Sequence, residues 1–170
     1  MTEPASAHYT GDFEHKLDDK NRITIPSAWR WMHAESDTFL ALPQDEDLPD
    51  GGHIVVLPPA AVAQLRAKVA LIPLGDREGQ KFLSRRFAKS LSFSFDKQGR
   101  VPLTKKLLAL AGITETDVTA GVTGSAVLVG SLNTFKIYSP GRWRALVAED
   151  AVSVAATTVG DAEQMRRLGL

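Results

Sequence analysis

Residues 17–26 read LDDKNRITIP, and the same pattern returns at residues 95–104 as FDKQGRVPLT. In each copy an apolar residue precedes an Asp, three residues follow, and an Arg opens an apolar alternation. Asp18 and Arg22 therefore match Asp96 and Arg100, Ile23 and Ile25 match Val101 and Leu103, and the offset is 78 throughout. Asn21 aligns with Gly99. Asn and Gly are the residues most at ease at positive φ, so this slot predicts a left-handed turn position just before each Arg. Leu91, Phe93 and Phe95 alternate with Ser92 and Ser94, which is the period of a half-buried strand. Each copy is thus predicted to be strand, turn, strand. Two copies at one spacing imply a duplicated unit rather than a long repeat array.

A chain of 170 residues suits one domain, or two small units that share a core. It has no Cys, so disulfides and thiolate sites are excluded, as fits a reducing cytoplasm. The opening MTEPASAHYTGDFEH lacks the apolar stretch of a signal peptide, and no apolar run approaches the roughly 18 residues of a membrane span. The expectation is a cytoplasmic protein without a membrane partner. Formal net charge is zero, which argues against the whole-domain basic character of many nucleic-acid binders. That total conceals an asymmetry. Residues 64–106 hold eleven Lys and Arg against three acids, whereas residues 1–63 hold four bases against eleven acids. A basic middle of this kind points either to a polyanionic partner or to a solvated helix face.

Taken in order, residues 1–8 read as frayed, and residues 9–17 as a strand that leads into the first turn. Pro26 ends the strand that carries Ile23 and Ile25. Residues 27–32, SAWRWM, form a short helix with Trp29 and Met32 on one core-facing side. Residues 38–42 and 53–57 are expected strands, joined by an acidic loop whose Asp50-Gly51-Gly52 supplies turn chemistry. Pro59 suits the first position of a helix to about Leu71, with Val62, Leu65 and Val69 in a stripe. A second helix over residues 76–89 would point Phe82, Leu83 and Phe87 inward and Lys81, Arg85 and Arg86 outward. The second copy then repeats the outline with a helix at 105–111 stopped by Gly112. Strands are expected at 118–122, 126–129 and 134–138. Pro140 opens a helix carrying Trp143 and Leu146, the run beyond Val152 is ambiguous, and residues 161–168 suit a short amphipathic tail.

His8, His15, His33 and His53 stand apart, with no partner His or Cys at metal-ligand spacing, although His8 and His15 lie near Asp12. There is no phosphate loop and no nucleophile motif, so no catalytic residue, metal, cofactor or small-molecule substrate is nominated. The repeated Asp and Arg are the unusual constellation, and they admit two readings. Asp18 and Asp96 can accept turn N–H groups and pair with Arg22 and Arg100, stapling each turn with no ligand involved. Alternatively, Lys20 beside Arg22, and Lys97 near Arg100 with Lys105 and Lys106 beyond, would make each turn a cluster of donors suited to phosphates and base edges.

The pattern L-D-x-K-x-R-h-x-h-P, followed 70 to 80 residues later by D-x-x-G-R, resembles the MraZ family of bacterial transcriptional regulators, built from tandem SpoVT/AbrB-type units. Tyr9-Thr10-Gly11, REGQKFLSRRFAKS and VLVGSLNTFKIYSP also look like family stretches, so the resemblance covers about residues 9–146. It implies a β-rich α+β fold: two tandem swapped-hairpin β-barrel units, at 9–60 and 89–138, complete an intrachain pseudo-dimer. A helical connector at 61–88 and a C-terminal helix and tail at 139–170 would complete the chain. It further implies a ring-shaped homo-oligomer, associated with the nucleoid, that binds repeated double-stranded promoter DNA upstream of the division and cell-wall gene cluster. Carried over by position, Arg22, Arg100, Lys20 and Lys97 would contact DNA, while Asp18 and Asp96 orient the turns. The alternative is a structural or protein-interaction oligomer whose Asp–Arg pairs only fix turns. Three positions depart from the family pattern. Asn21 stands for the usual Gly, Thr104 for a Pro, and Pro102 for a strand residue. Pro102 lacks an N–H, so its strand must lie at an edge or be bulged.

Overall fold

The computed structural model describes residues 8–49, 51–156 and 159–169. Residues 1–7 of the segment read as frayed, Asp50 of the expected turn, and residues 157–158 of the ambiguous run lie outside the described residues. The chain divides into two compact units, Met1–Pro140 and Gly141–Leu170. The first unit is a β-rich α+β fold with antiparallel sheets.

The duplication in the sequence is repeated in the elements. Strands β1 (Asp12–Lys16) and β2 (Arg22–Thr24) flank the first turn. Helix α1 (Ser27–Arg30), strands β3 (Phe39–Gln44) and β4 (His53–Leu57), and helices α2 (Pro59–Val69) and α3 (Arg77–Phe87) follow. The same order returns as β5 (Leu91–Phe93), β6 (Arg100–Pro102), α4 (Lys105–Leu110), β7 (Ser125–Gly130), β8 (Phe135–Tyr138), α5 (Pro140–Ala156) and α6 (Val159–Arg167). The C-terminal helix pair is therefore the counterpart, in chain order, of the connector between the repeats. Local chemistry sets the boundaries. Pro59 opens α2, where its missing N–H costs nothing. Asp76 caps α3 by accepting the Gly79 N–H, and Thr104 caps α4 by accepting the Leu107 N–H. Thr104 thus does for α4 what a Pro would have done only in part.

The strands interleave the repeats. The larger sheet has six strands in the order β1-β7-β8-β4-β3-β5, so the first strand of each repeat pairs with the third strand of the other. Strands β2 and β6 form a separate antiparallel pair with Ile23 opposite Val101 and Arg22 opposite Pro102. Because that sheet has only two strands, Pro102 sits at an edge, where its missing N–H is tolerated.

The core is drawn from both copies. Ile23, Ile25 and Leu17 are buried with their counterparts Val101 and Leu103, and Phe95 packs against them. Phe39 stacks on Phe93 across β3 and β5, and Trp29 meets Tyr9, Phe13 and Phe135. Trp29 thus belongs to the core, and Met32 packs on it as the helical spacing implied.

Four expectations are corrected. Residues 118–122 are not a strand. A single bridge joins Asp117 to Val122, and the Asp117 carboxylate accepts the Thr119 and Ala120 N–H groups, so a short polar side chain captures the backbone as a turn. Phe82 does not point inward and is 55% exposed. Arg86 is not a free outward charge, since both it and Lys89 pair with Glu46 at 3.4 and 3.1 Å. The strand expected at 91–95 is shorter than its periodicity implied and ends at Phe93.

Candidate nucleic-acid interface

Each repeated turn is held by its Asp. In the first, Asp18 Oδ1 accepts the N–H groups of Lys20 and Arg22 at 3.0 and 2.8 Å, and Oδ2 accepts Arg22 Nε–H at 2.8 Å. The Asn21 N–H donates to the Asp18 carbonyl at 3.0 Å. In the second, Asp96 Oδ1 accepts from Gln98 and Arg100 N–H, both at 2.9 Å, and Oδ2 accepts Arg100 Nε–H at 2.7 Å. Asn21 and Gly99, with φ of 57° and 72°, occupy the left-handed slot that the alignment assigned to them. The short polar side chain of Asp can bond its own turn, and the left-handed residue lets the chain reverse in time for Arg to return to it.

The two turns are also joined to each other. Arg100 Nη1 lies 3.6 Å from Asp18 Oδ2, so Arg22, Asp18, Arg100 and Asp96 form one ladder of alternating charge. All four side chains are between a quarter and just over a third exposed. Burial pushes each carboxyl up, but the Arg N–H, the Arg guanidinium and the Lys20 or Gln98 N–H outweigh it, and both Asp18 and Asp96 are held below the usual carboxylate range. Each Arg commits its Nε to the turn. Among the described residues, Arg22 Nη1 and Nη2 carry no hydrogen bond or ion pair. A guanidinium fixed at one edge and open at the other presents a preoriented pair of donors. Lys20 and Lys97 are exposed at the two turns, and Lys105 and Lys106 are exposed at the start of α4.

Other supports of the site were not singled out in the sequence. Arg30, at the end of α1, donates through Nη2 to the Lys97 carbonyl. Asn21 Oδ1 accepts the Thr116 N–H at 2.8 Å, and Thr116 Oγ1–H donates to the Leu17 carbonyl at 2.9 Å. Arg30 aligns with Leu108 in the second copy, so the repeat pattern gave no signal for it. Apart from the turns, Tyr9, His33 and Asp37 form a half-buried relay, with Tyr9 Oη 2.5 Å from His33 Nε2 and His33 Nδ1 3.1 Å from Asp37 Oδ2. Burial lowers the His33 pKa despite Asp37, and raises that of Tyr9, so a neutral imidazole donates to Asp37 and accepts from the phenol. Among the described residues no three His, Asp or Glu gather as metal ligands, and no helix is long and apolar enough to cross a membrane.

No protein-family model matches the chain. Sequence relatives do. The transcriptional regulator MraZ of Lactobacillus gasseri is 30% identical over 135 residues, which span 79% of this chain and 83% of that one. This chain belongs to the MraZ family. The MraZ regulator of Pediococcus pentosaceus is 29% identical over 83% of this chain and 87% of its own length, and that of Roseiflexus castenholzii is 28% identical over 84% and 90%. Membership in the MraZ family makes this chain one of a group of transcriptional regulators.

Proposed function

We propose that the chain binds double-stranded promoter DNA in a sequence-specific way through the two Asp–Arg turns. The observation that carries this reading is the duplicate ladder, in which Asp18 and Asp96 spend Arg Nε–H groups on the fold and leave the outer guanidinium edge of Arg22 open beside exposed Lys20, with Lys97 exposed at the second turn. Arg forks match the paired acceptors on the major-groove edge of guanine, and nearby lysines suit phosphates. The stapling role and the contact role are compatible, since they use different nitrogens of one side chain. A purely structural oligomer would explain the staples equally well, and the exposed Lys20 and Lys97, which stand at different positions of the two turns, are what favour a polyanion here.

In this reading residues 9–60 and 89–138 are the two SpoVT/AbrB-type units, completed by exchange of hairpin strands into an intrachain pseudo-dimer. The exchanged pairing of β1 with β7 and of β5 with β3 supports it. Residues 61–88 connect the units, and 139–170 form the C-terminal helical part. The chain works as a ring homo-oligomer in the cytoplasm at the nucleoid, on repeated boxes upstream of the division and cell-wall genes, and it is not an enzyme. A gel shift with the DNA upstream of its own gene tests this. Binding should fall steeply with added salt, and Arg22→Ala and Arg100→Ala should each weaken it by about 1 to 3 kcal/mol while remaining folded. Wild-type binding by both variants would reject the assignment.

A further inference from the structure

We infer that Arg30 is a positioning residue for the second turn, so that a side chain of the first repeat sets the geometry with which the second repeat meets DNA. The inference rests on the DNA-binding reading above. Arg30 donates to the Lys97 carbonyl, within the turn itself. Its stem also lies across Gly99, where an added Cβ would come 2.9 Å from Cδ and 3.0 Å from Nε. Two residues beyond Lys97 the same turn is held by the first repeat again, since the Ile25 N–H donates to the Gly99 carbonyl at 2.9 Å. The Lys97 and Gly99 carbonyls bracket Gln98, and both are tied to the first repeat. Within the turn Asp96 accepts the Gln98 and Arg100 N–H groups, while the Lys97 and Gln98 side chains are exposed.

The first turn is supported reciprocally but by different chemistry. There Asn21 supplies the amide that receives the Thr116 N–H, and Thr116 in turn donates to Leu17. This explains why the left-handed slot is Asn in one copy and Gly in the other. Asn at position 21 reaches a partner from the second repeat. At position 99 a Cβ would enter the space that Arg30 occupies. A charge-assisted bond from a guanidinium to a carbonyl is also stronger than its neutral counterpart, and it fixes the peptide that precedes Gln98.

The test is a double-mutant cycle on the full chain, read in two ways. Arg30→Ala should raise amide hydrogen exchange at Gln98, Gly99 and Arg100 while leaving Lys20 to Arg22 unchanged. It should also weaken binding to a DNA duplex that the wild type shifts, by about tenfold, the scale of one charge-assisted hydrogen bond. Gly99→Asn, which the positive φ tolerates, should displace Arg30 and produce a similar loss. The double variant should be no worse than either single one, because each change removes the same contact. Independent, multiplying losses would mean that Arg30 acts by another route and would overturn the inference. So would unchanged exchange in Arg30→Ala, or altered exchange with wild-type affinity. Arg100→Ala on the same duplex separates the two levels. If it abolishes binding that Arg30→Ala retains, only the positioning role fails. If the wild type shifts no DNA, the functional reading fails and takes the inference with it.

Discussion

Ile23 and Val101 lie directly opposite each other in the antiparallel pair of β2 and β6, and both are fully buried. They are also equivalent positions of the two repeats, so a local two-fold axis passes through their pairing. The larger sheet has the same symmetry. With Pro59 and Pro140 aligned as the openers of their helices, Val55 and Lys136 are equivalents, and they too face each other where β4 meets β8. The two turns therefore stand in related positions about one axis, as a pair rather than as separate sites.

Ile23→Ala should remove side-chain volume at that axis from a site with no solvent access. A cost of about 2 to 5 kcal/mol is expected, because a buried aliphatic truncation loses transfer energy and leaves a cavity. Arg22→Ala, one residue away but partly exposed, should cost about 1 kcal/mol or less. Urea melts of the two variants against the wild type check the contrast.

Asp18→Asn should keep an acceptor for the Lys20 and Arg22 N–H groups, whereas Asp18→Ala should lose them together with the Arg22 Nε contact. The alanine variant is expected to be less stable by about 1 to 2 kcal/mol and to bind DNA poorly, with the Asn variant between it and the wild type. Full stability and full affinity for Asp18→Ala would remove the carboxylate from any orienting role.

Stability should fall as pH drops below about 6.5, the ordinary value for His. The folded state holds the His33 pKa below that value, so the unfolded chain binds the proton first and stability rises with pH across this window. The depressed Asp18 and Asp96 act lower, contributing stability above the usual value of 3.8 that is lost on further acidification. His33→Gln should flatten the upper window alone, as read from urea midpoints at about pH 7.5 and about pH 5.

If the functional unit is a ring, binding should depend on box phasing. Several turn pairs on one assembly raise the effective concentration of each later contact, worth roughly 10² to 10⁴ in affinity. Shifting one of two boxes by half a helical turn, about 5 base pairs, should remove most of that gain. Gel shifts with one-box, in-phase and half-turn duplexes, beside the assembled mass in solution, check it. Equal affinity for all three would eliminate cooperative multivalency.

The turns were the most legible part of the sequence because their chemistry is local. Asp at one end, Asn or Gly in the left-handed slot and Arg at the return all act within five residues, and the two copies corroborated each other. Strand periodicity likewise revealed Phe93 and Ile23 as inward-facing. What periodicity reports is that one side of a strand is buried, not which strand covers it, so the exchange of β1 and β5 between repeats left no mark of its own. Arg86 looked solvated because its partner, Glu46, is remote in sequence. Val118 and Val122 suited a strand by composition, but Asp117 captured the local N–H groups first. Arg30 was missed because it breaks the repeat rather than obeying it.

The interleaved order of the large sheet has a consequence for how the protein is made. During synthesis the Asp12 of β1 emerges early, yet its partner Val129 in β7 must be translated before that edge can close. Strand β2 waits in the same way for β6. Neither half can complete its own sheet while the ribosome is still building the other, so closure is dominated by contacts distant along the chain, which makes it slow. Through that interval the growing chain carries unpaired strands, and it is then, rather than in the finished molecule, that it is most exposed to misassembly with another copy of itself.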